Sequence, residues 1–231
     1  MNPSASSGSS RSGVLHRRPQ LSDDVAAHVR NLIMSGGARP GDFVRLDETA
    51  AELGVSVTPV REALLTLRGE GLVELVPHRG YVVSPLDRSD IDDIFWLQGR
   101  LAERLVERAT TLMTDEILAE LEELETRFAE AVRAGDGARI EDLEFEFHRT
   151  LNRTAGSRKL AWFLHNATRY TPVHFYSDDR RWGTEAVASH ERLLQALRSG
   201  DVETAGREIR AHFTDGARRL VDHLDGLGVW S

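Results

Sequence analysis

Four side chains that carry metal-ligand atoms are spread over three stretches of this sequence. In RIEDLEFEFHRTLN a carboxylate and an imidazole, Glu144 and His148, stand four residues apart, while SHERLLQAL carries His190 and REIRAHF carries His212. Carboxylate oxygens and imidazole nitrogens suit divalent metals of intermediate softness, and an acid with three histidines makes a full ligand set. On a helix the apolar stripe of the first stretch is Ile140, Leu143, Phe147 and Leu151, so Glu144 and His148 share one face at its edge. His190 falls in line with Leu194 and Leu197, and His212 lies three residues past Ile209, so both sit on largely apolar faces. Two other uses fit the same residues. A His on an apolar face is often a hydrogen-bonded core residue, and a Glu/His pair at this spacing is often a contact along a helix surface.

These side chains need elements to bring them together, and the C-terminal part of the chain reads as helix throughout. Asp87 caps a run to about 110, Thr114 caps a run to about 134, and GDG separates that from a helix over 138–154. AGS precedes a helix over 158–170. The less regular TPVHFYSDDRRWGT leads to a helix over 185–198, and Ser199-Gly200-Asp201 introduces the last, to about 224. Helices with no strand pattern between them imply an all-α bundle. His165, Arg169, His174 and Tyr176 are open to two readings, pocket lining or surface, and Trp96, Trp162 and Trp182 are expected to pack.

A different chemistry marks the N-terminal part. LSDDVAAHVRNLIM is an amphipathic helix with Ser22 as its cap, and a short helix over 47–53 follows with Asp47 as N-cap and Gly54 as its stop. After the turn Gly54-Val55-Ser56, Thr58 is placed as the cap and Pro59 as the first residue of a third helix, closed by Gly71. That helix buries Val60, Ala63, Leu64 and Leu67 and leaves Arg61 outside. Runs at 72–76 and 81–83 flank Pro77-His78-Arg79-Gly80, a hairpin with a basic tip. Three helices and a hairpin in this order are the pattern of a winged helix-turn-helix, whose later helix enters the DNA major groove.

Charge agrees with that division. Through Ser84 the chain holds nine Arg and nine Asp/Glu, so the remaining 20 basic and 28 acidic residues carry the whole net charge of −8. A locally neutral module can bind DNA through a few well-placed arginines. The sequence has no cysteine, which excludes a disulfide framework. No apolar run approaches the roughly 20 residues needed to cross a bilayer, and a cytoplasmic protein is expected. The Ser/Gly-rich stretch 1–20 is expected to be a disordered tail.

PGDFVRLDETAAEL followed by GVSVTPVREALLTLRGEGLVELVPHRGYVV resembles the DNA-binding domain of the GntR family of bacterial transcription regulators, over residues 21–84. The resemblance implies that Arg45, Thr58 and Arg61 meet DNA backbone or bases and that His78, Arg79 and Gly80 of the wing meet the neighbouring groove. Where the family usually carries an Arg, this chain has Val57. EFEFHRTLNRTAGS with SHERLLQALRSGDVETAGREIRAHF resembles the metal motifs of the FCD branch of that family. This implies a six- or seven-helix bundle over 85–231, with Glu144, His148, His190 and His212 holding a divalent metal: zinc first, with nickel and manganese as alternatives. It also implies a small carboxylate effector. Glu144 stands where the family usually has Asp, and Gly99 where it usually has Arg, with Arg100 adjacent; Arg100, Arg169 and His174 are the candidate effector contacts.

The expectation is a mainly α protein, a winged helix-turn-helix followed by an all-α bundle, acting as a DNA-binding repressor controlled through its metal site. Its partners would be a double-stranded DNA operator, the carboxylate and a second copy of the chain, with no membrane. A metal-dependent hydrolase is the competing reading, because three His and an acid can activate water. HExxH, a nucleophile elbow and a Gly-rich phosphate loop are all missing from the sequence. A purely structural metal bundle is the third reading.

Overall fold

Leucine and valine at helical spacing begin the folded chain, and in the computed structural model, which describes residues 21–175, 177 and 180–230, they form helix α1 (Leu21–Met34). The stretch 1–20 and Tyr176 lie outside the described residues. Val25, Ala26, Val29 and Ile33 face inward. Ser22, expected as the cap, is already inside the helix and buried. A short strand that the sequence reading missed, β1 (Phe43–Val44), precedes α2 (Leu46–Leu53). Two residues are too few to show an alternation, so β1 leaves no period to read.

Both helices of the helix-turn-helix begin two residues earlier than the expected caps imply. Arg45, not Asp47, is the N-cap of α2, and Ser56, not Thr58, is the N-cap of α3 (Val57–Gly69). Thr58 and Pro59 are therefore the second and third residues of α3. Proline is tolerated there because the first four helical N–H groups have no partner within the helix. Between the helices Gly54 adopts φ 65°, a left-handed turn that favours glycine, and the Val55 N–H closes it on Ala50 O. Val60, Ala63, Leu64 and Leu67 are buried as expected, and Arg61 is exposed.

Strands β2 (Val73–Val76) and β3 (Gly80–Val83) form the hairpin, and β1 adds to the far side of β3, giving the order β1-β3-β2. Arg30 of α1 is fully buried and makes a bidentate ion pair with Glu70, at 2.7 and 2.8 Å. That pair ties α1 to the C-terminal end of α3.

Among the described residues six helices follow, as expected of the bundle: α4 (Arg88–Thr111), α5 (Asp115–Ala134), α6 (Gly137–Thr154), α7 (Arg158–Thr168), α8 (Arg180–Ser199) and α9 (Val202–Leu227). Asp87 caps α4 in a reciprocal capping box with Asp90, and Thr114, Asp136 and Asp201 cap α5, α6 and α9. Helix α7 stops two residues short of the expected 170, and α8 begins five residues before the expected 185, so the irregular segment between them is shorter. Of the three tryptophans expected to pack, only Trp182 is buried; Trp96 and Trp162 are 62% and 57% exposed.

One core lies within the bundle, around Leu105, Leu121, Phe128, Phe147 and Leu193. The second core ignores the sequence boundary near 84. It joins Val29, Ile33 and Leu64 of the first three helices to Ile91 and Phe95 of α4 and to Leu220 and Leu224 of α9. At this junction Gly36 is so close that a Cβ would stand 2.9 Å from the Val229 side chain. Hydrogen bonds run beside it: Asn31 Oδ1 accepts from the Val173 N–H at 2.7 Å, and Arg39 donates to Leu227 O at 3.1 Å.

Candidate metal centre

Helix α6 turns Ile140, Leu143, Phe147 and Leu151 into the core, which leaves Glu144 and His148 on the adjoining face. Helix α8 buries His190 among Leu193, Leu194 and Leu197, and α9 brings His212 in from beyond Ile209. The structure thus brings all four sequence candidates together, with one donor atom from each lying within 4.8 Å of the others. The Nε2 atoms of His148, His190 and His212 are 3.1, 3.4 and 3.2 Å from Glu144 oxygens. A tetrahedral centre with bonds of about 2.1 Å sets its ligand atoms about 3.4 Å apart, so this spacing needs little adjustment to hold an ion.

Two buried atoms of the cluster are left without a hydrogen-bond partner, Glu144 Oε2 and His190 Nε2. Orphaned buried polar atoms cost free energy unless something satisfies them, and here they belong to two of the four prospective ligands. Burial would raise the Glu144 carboxyl, but the His190 and His148 imidazoles and hydrogen bonds from His148 and His212 outweigh it and hold it well below the usual carboxylate range. Burial pushes His190 down to about 3 against the opposing pull of Glu144. An ionised acid and a neutral imidazole are the forms that a cation binds. Three imidazoles and one carboxylate fit zinc or nickel better than manganese, which prefers oxygen ligands.

Glu125 was missed by the sequence reading. From α5 its Oε2 lies 2.7 Å from His190 Nδ1, on the ring edge away from Glu144. Burial, followed by repulsion from Glu144, pushes the Glu125 carboxyl up to about 9. The signal was present in LEELETRF: Glu125 lies one turn after Leu121 and one before Phe128, an acid on a buried stripe. Such an acid needs a partner, and a second carboxylate behind a metal-binding histidine is a common one.

The cluster opens on a cavity of about 650 Å³ between α4, α6, α7 and α9. Glu144, His148 and His212 are on its lining, and the walls are largely apolar. Of the candidate effector contacts, His174 lines this cavity, with φ 63° and Nδ1 2.6 Å from Glu141. Arg100 and Arg169 do not: Arg100 pairs with Glu103 and lies over Trp96, and Arg169 bonds Asn166. Helical rotation explains Arg100, since one step further along α4 is about 100° around the axis. Gly99 itself faces Phe213 and Arg210 of α9. Arg149 and His165 line the cavity, and Arg149 pairs with no carboxylate among the described residues.

The N-terminal candidates are all at the surface. Arg45 is paired with Glu48 at 2.7 Å, while Thr58 and Arg61 are exposed on the first two turns of α3. At the hairpin tip His78 has φ 63°, Gly80 begins β3, and Arg79 lies over the Phe43 ring at 5.0 Å. Val57 packs against the core.

Residues 21–83 match the family described as bacterial regulatory proteins, gntR family, and residues 93–215 match the FCD domain. The chain is 31% identical to the "Probable D-xylose utilization operon transcriptional repressor" of Paenarthrobacter nicotinovorans, over 81% of this chain and 85% of that protein. It is 30% identical to an HTH-type transcriptional regulator of Mycobacterium tuberculosis, over 77% of this chain and 75% of that one. The solved structure of E. coli McbR/YncC has the same fold, with a TM-score of 0.68 at 22% identity over 89% of this chain and 99% of that one.

Proposed function

Because this chain belongs to the GntR family of bacterial transcription regulators and carries an FCD domain, we propose that it is a repressor whose grip on its operator is set by a small carboxylate held at a divalent metal. The observation that carries this reading is the four-residue cluster, with its two orphaned buried atoms, three of whose members line a cavity. Glu144, His148, His190 and His212 would hold zinc, or nickel or manganese, and the ion would supply a Lewis-acid anchor for the carboxylate. Arg149 and His174 would then face the rest of the molecule. Arg100 and Arg169, outside the cavity, would act on an effector only after a rearrangement.

On the DNA side, Arg45, Thr58 and Arg61 would meet the major groove and its phosphates, and His78, Arg79 and Gly80 the neighbouring groove. Arg61, exposed on α3, is the candidate base reader, and Val57 contributes packing in place of a contact. The working unit would be a homodimer reading two half-sites. The exposed Trp96 and Leu97 of α4 and Trp162 and Phe163 of α7 offer apolar surface that a second copy would cover. No helix of the described residues is long and apolar enough to cross a membrane, in keeping with a cytoplasmic regulator. The relatives are regulators of transcription, which weighs against the hydrolase reading.

Two measurements test this. Elemental analysis of purified protein should return about one divalent ion per chain, lost in His148→Ala with His190→Ala; no ion under any loading condition refutes the metal site. Arg61→Ala should weaken specific operator binding by roughly 1–3 kcal/mol, and an unchanged preference for operator over random duplex refutes the base contact.

A further inference from the structure

The cavity beside the metal cluster has a demand that a small polar acid would not meet. Gln98 of α4 is fully buried and lines the cavity. Its Nε2 donates to Ala167 O at 2.9 Å, and because a backbone carbonyl only accepts, the orientation of the amide is fixed. Gln98 Oε1 then has no donor among the described residues, although it is buried. Most of the exposed cavity wall is apolar, with Phe95, Ile140, Leu164, Trp182 and Phe213 on the lining. The volume of about 650 Å³ is in the range of cavities that enclose a drug-sized ligand, far more than a two- or three-carbon acid fills. Glu141 on the same lining already meets His174 and Ser177, and a second carboxylate would have to leave water for walls that are largely apolar.

From these observations we infer that the ligand of this cavity is a monocarboxylic acid with a medium-length apolar body and a hydroxyl or amide N–H that donates to Gln98 Oε1. The inference rests on the proposed anchoring of a carboxylate at the metal, and it adds the class of molecule attached to that carboxylate. The apolar body displaces water from the phenyl, indole and aliphatic walls, and each methylene buried there strengthens binding. The donor supplies what the Gln98 oxygen lacks. An acid without it leaves a buried acceptor unsatisfied, which costs affinity.

Titration calorimetry on zinc-loaded full-length protein tests this with acetate, citrate, hexanoate, octanoate, decanoate and the positional isomers of hydroxyoctanoate. From hexanoate to decanoate, affinity should rise about threefold to fourfold per methylene, and octanoate should exceed acetate and citrate. At least one hydroxyoctanoate should bind about threefold to tenfold tighter than octanoate, and Gln98→Met should erase that preference while keeping the chain-length trend. Affinities that are flat with chain length, or highest for citrate, overturn the inference, as does a wild type that favours no hydroxyoctanoate. The wild-type series stands even if the Met variant fails to fold. Repeating it on chelator-stripped protein separates the two readings. A chain-length trend that ignores zinc refutes the metal anchor and supports the apolar body; zinc-dependent binding with no trend refutes the apolar body and leaves the anchor.

Discussion

Glu125 is the residue on which the centre's affinity for metal should depend most without being a ligand. Its carboxyl meets His190 Nδ1, so in the metal-bound state it accepts that N–H and fixes which nitrogen faces the ion. Glu125→Leu should weaken zinc affinity about tenfold to a hundredfold in a chelator competition; Glu125→Gln, which still accepts, should weaken it less. In metal-free protein the same group gives a pH signature. The Glu125 carboxyl, ordinarily 4.5, is pushed up to about 9, so its contribution to stability is complete below 4.5 and is lost as pH rises through 9. His190 acts in the other direction, from an ordinary 6.5 down to about 3, and its contribution is complete above 6.5. Between pH 6.5 and 9 only Glu125 of this pair changes, so urea unfolding of metal-free wild type should show falling stability there, and Glu125→Gln a flatter profile. The four-residue cluster was legible because its members lie at helical spacing from apolar residues. Glu125 was legible in pattern too, but its partner lies 65 positions away, and sequence spacing says nothing about contacts between helices.

Helix faces were readable where period and caps agreed, and less so where the chain was irregular. The buried stripe of α3, Val60, Ala63, Leu64 and Leu67, follows directly from its period. The start of α3 does not, since Ser56 and Thr58 are both acceptable caps and only the backbone chooses. The segment between α7 and α8 was the least legible, and its Val173 touches the N-terminal part of the chain. Thr171, Val173 and His174 line the cavity, and the Val173 N–H bonds Asn31 of α1. Helix α1 in turn holds the end of α3 through Arg30 and Glu70. Asn31→Ala should therefore leave carboxylate affinity near wild type and reduce the effect of the ligand on operator binding, read by fluorescence anisotropy with and without octanoate. Equal regulation in the variant would place the coupling elsewhere. Gly36→Ala tests the neighbouring contact by packing. With φ 78° and Val229 at 2.9 Å, it should destabilise the protein by about 1–3 kcal/mol in urea unfolding.

At the scale of the whole molecule, the core that joins α1 and α3 to α4 and α9 predicts how the protein melts. Calorimetry on metal-free protein should show the winged helix unfolding together with α4 and α9, and an isolated fragment 21–84 should melt well below the full chain. A fragment as stable as the intact protein would make that core incidental. The boundary expected near 84 from charge and pattern is thus crossed by a shared core. The same core limits how this regulator can be rewired as a biosensor. Grafting the module at residues 21–84 onto another sensor would strip Leu64 and Ile33 of the α4 and α9 side chains that share their core. A transplantable cassette has to carry the matching faces of α4 and α9, or replace them with side chains shaped to the same surface.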